Sequence, residues 1–256
     1  EIDLLIVGTA TPDTVFPSTA CWAQPKIGLG PVPVFDLSAA CSGFLYAYQV
    51  ADSVIGTGRA KRVLIVGAEA LSRVIDWEDR NTCVLFGDGA GAAVVVPGES
   101  NSDGLLASSW GADGGLASLL WQPAGGTRYP ATEATVSERK HTVHMAGNEV
   151  FKHAVKAMQG ACTEVLEQAG VTSDQIDLYV PHQANLRIIK ATADRAGVSM
   201  DQTYLVLHRY GNVSAASIPM ALADAVDEGR LKTGDLVLSS SFGAGFTWAA
   251  NLYRWG

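Results

Sequence analysis

Residues 36–44 read DLSAACSGF, and they join two different hydrophobic patterns. The apolar run that ends at Leu37 predicts a buried strand, whereas the pattern from Phe44 to about Ile55 predicts a helix. The small residues between them predict a sharp turn that carries Cys41 to the start of that helix. Backbone N–H groups and the helix dipole favour a thiolate there, so Cys41 is a candidate nucleophile with a lowered pKa. A buried, unreactive cysteine is the alternative interpretation.

The same unit occurs twice in the chain. A Gly-Arg pair follows Cys41 at the spacing at which a second Gly-Arg pair follows Asn212. Upstream of each lies a related apolar run, IDLLIV at 2–7 and IDLYV at 176–180. A fixed register over two blocks predicts an internal duplication in which Cys41 and Asn212 occupy matching turns. His182 follows the second run, so we expect all three side chains to meet where the two halves join.

The periodicity predicts an α/β protein of two related halves. Strands are predicted near 2–8, 32–38, 62–68, 90–96, 176–181, 203–207, 235–241 and 246–253, and helices near 18–28, 41–56, 148–169, 185–196 and 213–228. We divide the chain into an N-terminal half at 1–98, a connector of cleft-covering loops at 99–147 and a C-terminal half at 148–256. The N-terminal half is predicted to be incomplete at its start, because a helix precedes the second IDL run and none precedes the first.

Composition excludes several classes of function. Hydrophobic residues make up 48% and charged residues 17% of the chain, which is typical of a compact α/β protein with a large buried core. A net charge of −8 argues against a nucleic-acid partner, and no apolar run has membrane-spanning length or the form of a signal peptide. The four cysteines have neither paired nor metal-ligand spacing, so we expect a reducing cytoplasm and no metal site.

Three further motifs accompany the Cys41 turn: VPHQAN at 180–185, YGNVSAAS at 210–217 and SFGAGFTW at 241–248. Together the four motifs resemble the β-ketoacyl-acyl-carrier-protein synthase III family of the thiolase superfamily. The resemblance covers essentially the whole chain. It implies a duplicated αβαβα five-layer core, a homodimer and a Cys–His–Asn catalytic triad.

The resemblance also implies the reaction. An acyl-CoA starter would acylate Cys41, and malonyl-acyl-carrier protein would then lose CO2 and condense with the acyl group to initiate fatty-acid synthesis. His182 and Asn212 would donate hydrogen bonds to the enolate, since a carboxamide is no useful base. Asparagine as the third member fits initiating synthases and their plant-polyketide and hydroxymethylglutaryl relatives, whereas elongating ketosynthases use a second histidine and thiolases a second cysteine. The wording of the motifs that contain His182 and Asn212 favours the synthase III branch over those relatives. No cofactor is implied beyond the CoA thioesters that serve as substrates.

The family pattern places the oxyanion hole in the backbone N–H groups of Cys41 and Ala244. The sequence departs from the family here, because glycine usually stands at the position of Ala244. Alanine fits that position only if its backbone does not need a positive φ. We therefore expect an ordinary backbone conformation at Ala244.

Contacts with the substrates and with a partner subunit are also implied by the resemblance. Arg80 corresponds to a residue that contacts the adenine and phosphate end of CoA, and Gly147, Phe151 and Asn185 correspond to residues of the pantetheine channel. Phe16 corresponds to the residue that crosses the dimer interface and shapes the partner's acyl pocket. The alternatives are a solvated surface position for Arg80 and a helix core position for Phe151.

A positive patch is predicted for docking of the acidic carrier protein. Lys152 and Lys156 stand one helical turn apart, and Arg187, Lys190 and Arg195 lie on the next predicted helix. Because the chain itself is acidic, docking needs a local group of positive charges such as this one. An ordinary solvated helix face is the alternative interpretation.

Three other functions stay open from the sequence. A Cys–His–Asn hydrolase would resolve the acyl-enzyme with water. A secondary-metabolite relative would use the same condensation on another starter, and an inactive truncated copy would only fold and dimerise. Carbon–carbon bond formation from a malonyl thioester separates a condensing enzyme from the hydrolase and from the inactive copy.

Overall fold

Two four-stranded sheets form the framework of the protein, and each contains one of the two IDL runs. The computed structural model describes residues 1–100 and 103–256, so Asn101 and Ser102 of the predicted connector lie outside the described residues. The first sheet has the order β2-β1-β3-β4, formed in that order by Val34–Leu37, Leu4–Gly8, Val63–Ala70 and Asp88–Val95. Strand β1 is parallel to β2 and β3, and β4 is antiparallel to β3.

The second sheet repeats this arrangement. Its order is β5-β10-β9-β8, formed in that order by Gly104–Ala112, Thr247–Arg254, Leu236–Gly243 and Leu178–Pro181. Strand β8 is parallel to β9, and β10 is antiparallel to both of its neighbours. Strands β8, β9 and β10 therefore correspond to β1, β3 and β4, as the duplication predicts.

Helices fill three layers around the sheets. They are α1 (Thr19–Lys26), α2 (Gly43–Gly56), α3 (Glu133–Ser137), α4 (Gly147–Ala169), α5 (Leu186–Ala196), α6 (Leu207–Tyr210) and α7 (Ser217–Asp227). Helices α2 and α7 pack between the sheets, where Phe44 and Ile218 share one apolar cluster with both of them. Helix α1 lies on the outer face of the first sheet, and α4 and α5 lie on that of the second. The layers are αβαβα, which confirms the predicted fold class.

The long helix α4 follows directly from its sequence pattern. Buried apolar residues recur every three or four positions from Val150 to Leu166, which gives the helix one continuous apolar face. Gly170 ends the helix in a left-handed conformation with a φ of 64°, the usual place for glycine. None of the helices in the described part of the chain is both long and apolar enough to cross a lipid bilayer.

The outer faces of the two sheets are covered unequally. Among the described residues, α1 is the helix that packs on the outer face of the first sheet, whereas two helices cover the second. Val94 and Val96, on and just after β4, are consequently 51% and 53% exposed. The first IDL strand is nevertheless covered, because Leu5 and Val7 of β1 are buried against Ala20 of α1, so a different helix takes the place that the duplication leaves empty.

The predicted connector at 99–147 contains an element of the second half. Strand β5 lies within it and pairs with β10 along its whole length. The C-terminal half therefore includes residues from 104 onwards, and the boundary predicted at 148 is wrong. Small residues occupy much of β5, so its side chains carry too weak an alternation of polarity to reveal a strand. The rest is short elements, including β6 (Leu120–Trp121) and β7 (His144–Met145), which pair with each other.

The strand predicted at 203–207 is also wrong. Thr203 alone joins the second sheet, through one parallel bridge to Tyr179. Beyond it, the N–H groups of Val206 and Leu207 donate to the side-chain oxygen of Gln183, at 3.0 and 3.2 Å. The buried Gln183 amide therefore takes the hydrogen bonds that a neighbouring strand would have received.

The two repeated turns do not match in the register that the spacing predicts. Ala40 has a φ of 45° and begins a 3₁₀ turn before α2, and Ser214 has a φ of 47° and begins the corresponding turn before α7. The structural counterpart of Cys41 is therefore Ala215, and Asn212 lies just before its turn. The spacing misleads because α7 has 11 residues where α2 has 14, so a register counted from the helix ends is shifted.

Candidate active site

Cys41 lies in the tight turn that joins β2 to α2. Ala40, the residue before it, has a left-handed backbone conformation that L-residues rarely adopt. The N–H of Ser42 donates to the carbonyl of Ala39 at 3.0 Å and closes the turn. Cys41 is only 9% exposed, so the turn holds its sulfur in a site that is almost closed to solvent.

Burial dominates the ionisation of the Cys41 thiol. Desolvation raises the pKa of Cys41 to about 12; a hydrogen bond with the Ser214 side chain opposes this rise, and the negative charge of Glu69 adds to it. The prediction of a lowered pKa is therefore wrong, because the cost of burying a thiolate outweighs the effect of the helix end. Cys41 is therefore a thiol at neutral pH.

The His182 side chain is buried and fixed by a hydroxyl group. Its Nδ1 lies 2.7 Å from the Oγ of Ser217, the first residue of α7, and its backbone N–H donates to the carbonyl of Ser240 at 2.7 Å. Burial lowers the pKa of His182 to about 4, so the ring is neutral at neutral pH. With Nδ1 engaged, Nε2 is the ring nitrogen left to meet a substrate.

The lowered pKa of His182 predicts a loss of stability in acid. In the unfolded chain the pKa of a histidine is about 6.5, so between that pH and about 4 the unfolded state binds a proton that the native state does not. The stabilising contribution is complete above about pH 6.5 and is lost as the pH falls towards 4, by up to about 3 kcal/mol. Urea unfolding at a series of pH values should show a shallower acid dependence for His182→Gln than for the wild type. An equal or steeper dependence in the variant contradicts the buried, neutral ring.

Asn212 is held by its backbone and by its side-chain oxygen. Its N–H donates to the carbonyl of Leu85, and its carbonyl accepts the N–H of Gly87, both at 2.9 Å. Its Oδ1 accepts the N–H of Ser214 at 2.9 Å. Because the oxygen is occupied within the chain, Nδ2 is the part of the carboxamide that can donate to a substrate.

One short segment, from Asn212 to Ser217, leads into α7 and links the three candidate residues. The Cys41 turn lies against this segment, since a Cβ on Gly43 would be 3.5 Å from the Cβ of Ala215, and Asn212 Oδ1 accepts the Ser214 backbone N–H at 2.9 Å. His182 contacts Ser217 at the other end of the segment. The structure therefore brings together side chains from both halves, although the two turns differ in register.

A glycine on β3 allows this segment to lie against the Cys41 turn. A Cβ on Gly67 would lie 2.2 Å from the carbonyl oxygen of Ala215 and 3.0 Å from the Cα of Ala216. Real Cβ atoms do not approach a backbone so closely, so any side chain at this position would push the segment away. The small residue at Gly67 is therefore a requirement for assembling the site.

A second glycine brings the loop after β9 to the Cys41 amide. A Cβ on Gly243 would lie 2.7 Å from the backbone nitrogen of Cys41 and 3.0 Å from the carbonyl oxygen of Ala39. The Thr247 hydroxyl donates to the same Ala39 carbonyl at 2.8 Å and ties the loop to the turn. Among the described residues, no backbone carbonyl accepts the N–H of Cys41 or that of Ala244. An oxyanion hole is built from two such N–H groups aimed at one point.

Ala244 has the ordinary backbone conformation that an alanine needs at this position. Among the described non-glycine residues, a positive φ occurs at Ala40, Arg139 and Ser214, and not at Ala244. The positive φ of this loop, 140°, falls on the next residue, Gly245. Alanine therefore replaces the family's glycine without backbone strain.

The residues predicted to contact CoA fall into two groups. Gly147 and Phe151 lie on the first turns of α4. The guanidinium of Arg187 lies 5.3 Å from the centre of the Phe151 ring, and this contact joins α4 to the start of α5. Asn185 is the N-cap of α5, where its Oδ1 accepts the N–H of Ile188 at 2.9 Å, so only its NH2 group is available to a ligand. Arg80 is exposed on a separate loop between β3 and β4.

Phe16 lies on an exposed apolar surface. Phe16 and the neighbouring Val15 are each 84% exposed, and Trp22 and Phe35 nearby along the first half are 44% and 38% exposed. Two adjacent large apolar side chains as exposed as Val15 and Phe16 are typical of a protein interface. The exposure agrees with a position at a contact between subunits.

The positive patch is more restricted than the sequence predicts. Lys152 forms an ion pair with Glu149 at 2.7 Å, and Lys190 is exposed on α5. Lys156 lines a cleft of about 430 Å³ together with the carboxylates of Asp113 and Glu164. Because two acidic groups accompany it, Lys156 does not belong to a purely positive face.

Three residues near the site were not predicted from the sequence. Ser217 lies 2.7 Å from Nδ1 of His182, Ser214 donates its backbone N–H to Asn212, and the negative charge of Glu69 raises the pKa of Cys41. Glu69 alone had a usable signal: on β3 it shares the buried face with Val63, which is unusual for a glutamate. The two serines stand in a small-residue run that carries no such contrast.

Two family models match the chain. The model of 3-oxoacyl-[acyl-carrier-protein] synthase III matches residues 35–114, which include the Cys41 turn. The model of the C-terminal part of the same synthases matches residues 166–255, which include His182 and Asn212. The matched segments therefore contain all three side chains of the site.

Individual relatives are similar over the whole chain. A β-ketoacyl-[acyl-carrier-protein] synthase III of Natranaerobius thermophilus is 50% identical over 257 residues, which cover 100% of this chain and 78% of that protein. The solved structure of 3-oxoacyl-[acyl-carrier-protein] synthase III from Aquifex aeolicus VF5 is 47% identical, with a TM-score of 0.90 over 99% of this chain and 77% of that one. The priming β-ketosynthase of the R1128 polyketide pathway has a TM-score of 0.90 at 35% identity, over 100% of this chain and 75% of that one.

Proposed function

Because the chain belongs to the 3-oxoacyl-[acyl-carrier-protein] synthase III family, we propose a role for each group of the Cys41 site in the reaction of that family. The chain is an acyltransferase, a β-ketoacyl-acyl-carrier-protein synthase III that catalyses the initiating condensation of fatty-acid synthesis. Its substrates are an acyl-CoA starter and malonyl-acyl-carrier protein. The intermediate is an acyl thioester on Cys41.

In the first half-reaction the Cys41 sulfur attacks the thioester carbonyl of the acyl-CoA. The S–H bond of Cys41 and the C–S bond to CoA break, a new C–S bond forms, and the proton leaves with CoA as its free thiol. The N–H groups of Cys41 and Ala244 donate to the oxygen that becomes negative in the tetrahedral intermediate. Any proton that passes through His182 stays there only briefly, because the pKa of that ring is about 4.

In the second half-reaction the malonyl group loses CO2 and leaves an enolate. The Nε2–H of His182 and the Nδ2–H of Asn212 donate to the enolate oxygen, and the enolate carbon attacks the acyl group on Cys41. Cys41 then leaves as a thiolate and takes up a proton. In this mechanism the Ser217 hydroxyl, 2.7 Å from Nδ1, donates to that nitrogen and so keeps the proton of the neutral ring on Nε2.

One observation carries this proposal: the loop after β9 reaches the turn of the buried Cys41, where a Cβ on Gly243 would lie 2.7 Å from the Cys41 nitrogen, and no backbone carbonyl of the described residues accepts the N–H of Cys41 or of Ala244. The test is mass spectrometry of the protein after incubation with a panel of acyl-CoAs, followed by addition of malonyl-acyl-carrier protein. We expect Cys41 to gain the acyl group of the preferred starter. The second substrate should then remove that group as a β-ketoacyl-acyl-carrier protein.

The same experiment separates the alternative functions. Release of the acyl group only as a free acid indicates a thioester hydrolase, and the absence of any acylation indicates a copy that does not turn over. A priming enzyme of a polyketide pathway is the second candidate, because one such ketosynthase shares the fold at 35% identity. A preference for a starter other than the one used in the cell's fatty acids supports that candidate.

The carrier protein docks, in this proposal, on the positive charges at the start of α4 and α5. They belong to Lys152, Arg187 and Lys190, which stand at or near the helix ends that carry Phe151 and Asn185. Lysines at the edge of an interface act mainly through attraction across water. Such attraction brings the acidic partner to the site without contributing to the chemistry.

Removing two of these charges is expected to weaken carrier-protein use alone. In the double variant Lys152→Ala, Lys190→Ala, we expect KM for malonyl-acyl-carrier protein to rise about fivefold at low salt, with kcat and the acyl-CoA KM unchanged. Arg187 is left in place because it packs on Phe151. The control is Lys232→Ala, on the turn before β9, which should leave every constant unchanged. If KM for malonyl-acyl-carrier protein is unchanged in the double variant, the carrier protein does not dock on these charges.

We also propose a cytoplasmic homodimer. The exposed Val15 and Phe16 support a subunit contact, because their burial against a second copy removes a large apolar surface from water. In this arrangement Phe16 of each subunit reaches the acyl pocket of the other. All four cysteines are free thiols, which suits a reducing compartment.

A further inference from the structure

Arg139 has a backbone conformation that an arginine rarely adopts. Its φ is 54°, in the left-handed region that favours glycine. Ala40 and Ser214 are the other described non-glycine residues with a positive φ, and both belong to the turns of the Cys41 site. Such a conformation is costly and persists where surrounding contacts hold it, often at functional sites. The contacts of Arg139 therefore indicate what it does.

The guanidinium of Arg139 binds two carboxylates of another loop. Its Nη1 donates to both oxygens of Asp76, at 2.9 and 3.0 Å, and its Nη2 donates to Glu78 at 2.5 Å. Close to this contact in sequence, the N–H of Val143 donates to the carbonyl of Val74 at 2.8 Å. The segment that follows α3 is therefore joined to the loop between β3 and β4 by both side chains and backbone.

The loop between β3 and β4 carries Arg80 on the second of two successive turns. Asp76 closes the first turn, because its carbonyl accepts the N–H of Asp79 at 3.1 Å. Asp79 closes the second, because its carbonyl accepts the N–H of Thr82 at 3.1 Å and its carboxylate accepts the Thr82 hydroxyl at 2.8 Å. Among the described residues, Arg80 itself has no ion-pair partner. Its position therefore follows that of Asp76, which Arg139 holds.

The other end of this loop is held at the active site. The carbonyl of Leu85 accepts the N–H of Asn212, and the N–H of Gly87 donates to the carbonyl of Asn212, both at 2.9 Å. A Cβ on Gly87 would lie 2.4 Å from the carbonyl oxygen of Tyr210, so the loop lies directly against the turn before Asn212. The loop is thus anchored twice, and Arg139 anchors the end that does not contact Asn212.

We propose that Arg139 is a positioning residue for the nucleotide end of acyl-CoA, because it fixes the loop that presents Arg80. The inference rests on the proposed function and on the predicted contact between Arg80 and CoA. Arg139 acts through the loop and does not itself touch the substrate. Malonyl-acyl-carrier protein has no adenine nucleotide, so Arg139 serves the first half-reaction and not the second.

The test compares two starters that have the same acyl group. One is the acyl-CoA, and the other is the acyl-N-acetylcysteamine thioester, which lacks the nucleotide. Arg139→Gln keeps an unbranched polar side chain but removes the charge, so we expect KM for acyl-CoA to rise about fivefold with kcat unchanged. Use of the N-acetylcysteamine thioester and KM for malonyl-acyl-carrier protein should stay at the wild-type values. Arg139→Lys keeps the charge without the two-pronged donor and should lie between the wild type and Arg139→Gln.

The matched control is Lys140→Gln, which removes the same charge from the next residue. Lys140 pairs with Glu138 of its own segment and not with the loop, so every constant should be unchanged. A double variant tests the route of the effect. In Arg80→Ala, Arg139→Gln, KM for acyl-CoA should equal that of Arg80→Ala alone, because Arg139 acts through Arg80.

Three results overturn the inference. They are an unchanged KM for acyl-CoA in Arg139→Gln, an equal loss with the thioester that lacks the nucleotide, and a further rise of KM in the double variant. An unchanged KM in Arg80→Ala overturns it as well, because the contact on which it rests is then absent. None of these results affects acylation of Cys41 and condensation by the wild-type protein, so the proposed function is judged separately.

Discussion

Replacing Asn212 by alanine is expected to lower the rate of condensation by about 10²–10³-fold while Cys41 is still acylated at close to the normal rate. The Nδ2 group of Asn212 is the donor left over by the bond from Ser214 N–H to Oδ1, and in the proposed mechanism only the enolate of the second half-reaction uses it. Loss of one such donor in a dry site costs about 3–4 kcal/mol of transition-state stabilisation. Single-turnover acylation and malonyl-acyl-carrier-protein consumption, measured separately, give the two rates.

Asn212→Asp is the matched variant for this prediction. A carboxylate keeps the acceptor for the Ser214 N–H and so preserves the turn, but it has no N–H to donate. We expect condensation by this variant to be as slow as in Asn212→Ala. Equal losses of acylation and condensation in Asn212→Ala would falsify the donor role and assign Asn212 to the structure of the turn.

A single methyl group at Gly243 is expected to slow both half-reactions by about 10²-fold or more. The new Cβ would lie 2.7 Å from the Cys41 nitrogen and 3.1 Å from the Thr247 hydroxyl, so either the loop with Ala244 or the Cys41 turn must move. The two N–H groups of the oxyanion hole then no longer point to one place. Both half-reactions pass through a tetrahedral oxyanion there, so acylation and condensation should fall together.

Two comparisons make the Gly243→Ala result specific. Gly30→Ala is the control, because a Cβ at Gly30 meets no atom within 4 Å and the position has no positive φ. Alkylation of Cys41 by iodoacetamide forms no oxyanion, so Gly243→Ala should keep it if the turn is intact. Acylation at the normal rate in a folded Gly243→Ala protein would show that the Ala244 N–H does not contribute to the oxyanion hole.

Much of the fold could be predicted from local patterns. The helix predicted at 148–169 is α4 at Gly147–Ala169, because its apolar face and its C-terminal glycine are both visible along the chain. Strand β5 was missed because its stability comes from pairing with β10, which lies more than a hundred residues away, rather than from its own side chains. The strand predicted at 203–207 failed for the converse reason, since the side chain of Gln183 takes its backbone donors.

The candidate site shows the same division. The motifs around Cys41, His182 and Asn212 carry the three reacting groups, and the duplication predicts that they meet. The repeat register, however, pairs Cys41 with Asn212, whereas the structure pairs it with Ala215, because the two helices differ in length. Nothing along the chain indicates that Ser217 holds the His182 ring.

The periodicity of apolar residues and the residue types that form turns are both properties of neighbours in sequence. The sequence alone therefore determined the order of most strands and helices and the position of the candidate nucleophile. The ionisation of Cys41 was decided only in the assembled interior. There, packing from both halves excludes water and raises its pKa to about 12, while the Ser214 side chain opposes this rise and the negative charge of Glu69 adds to it. Desolvation and the field of a buried charge are properties of atoms that are close in space and distant along the chain.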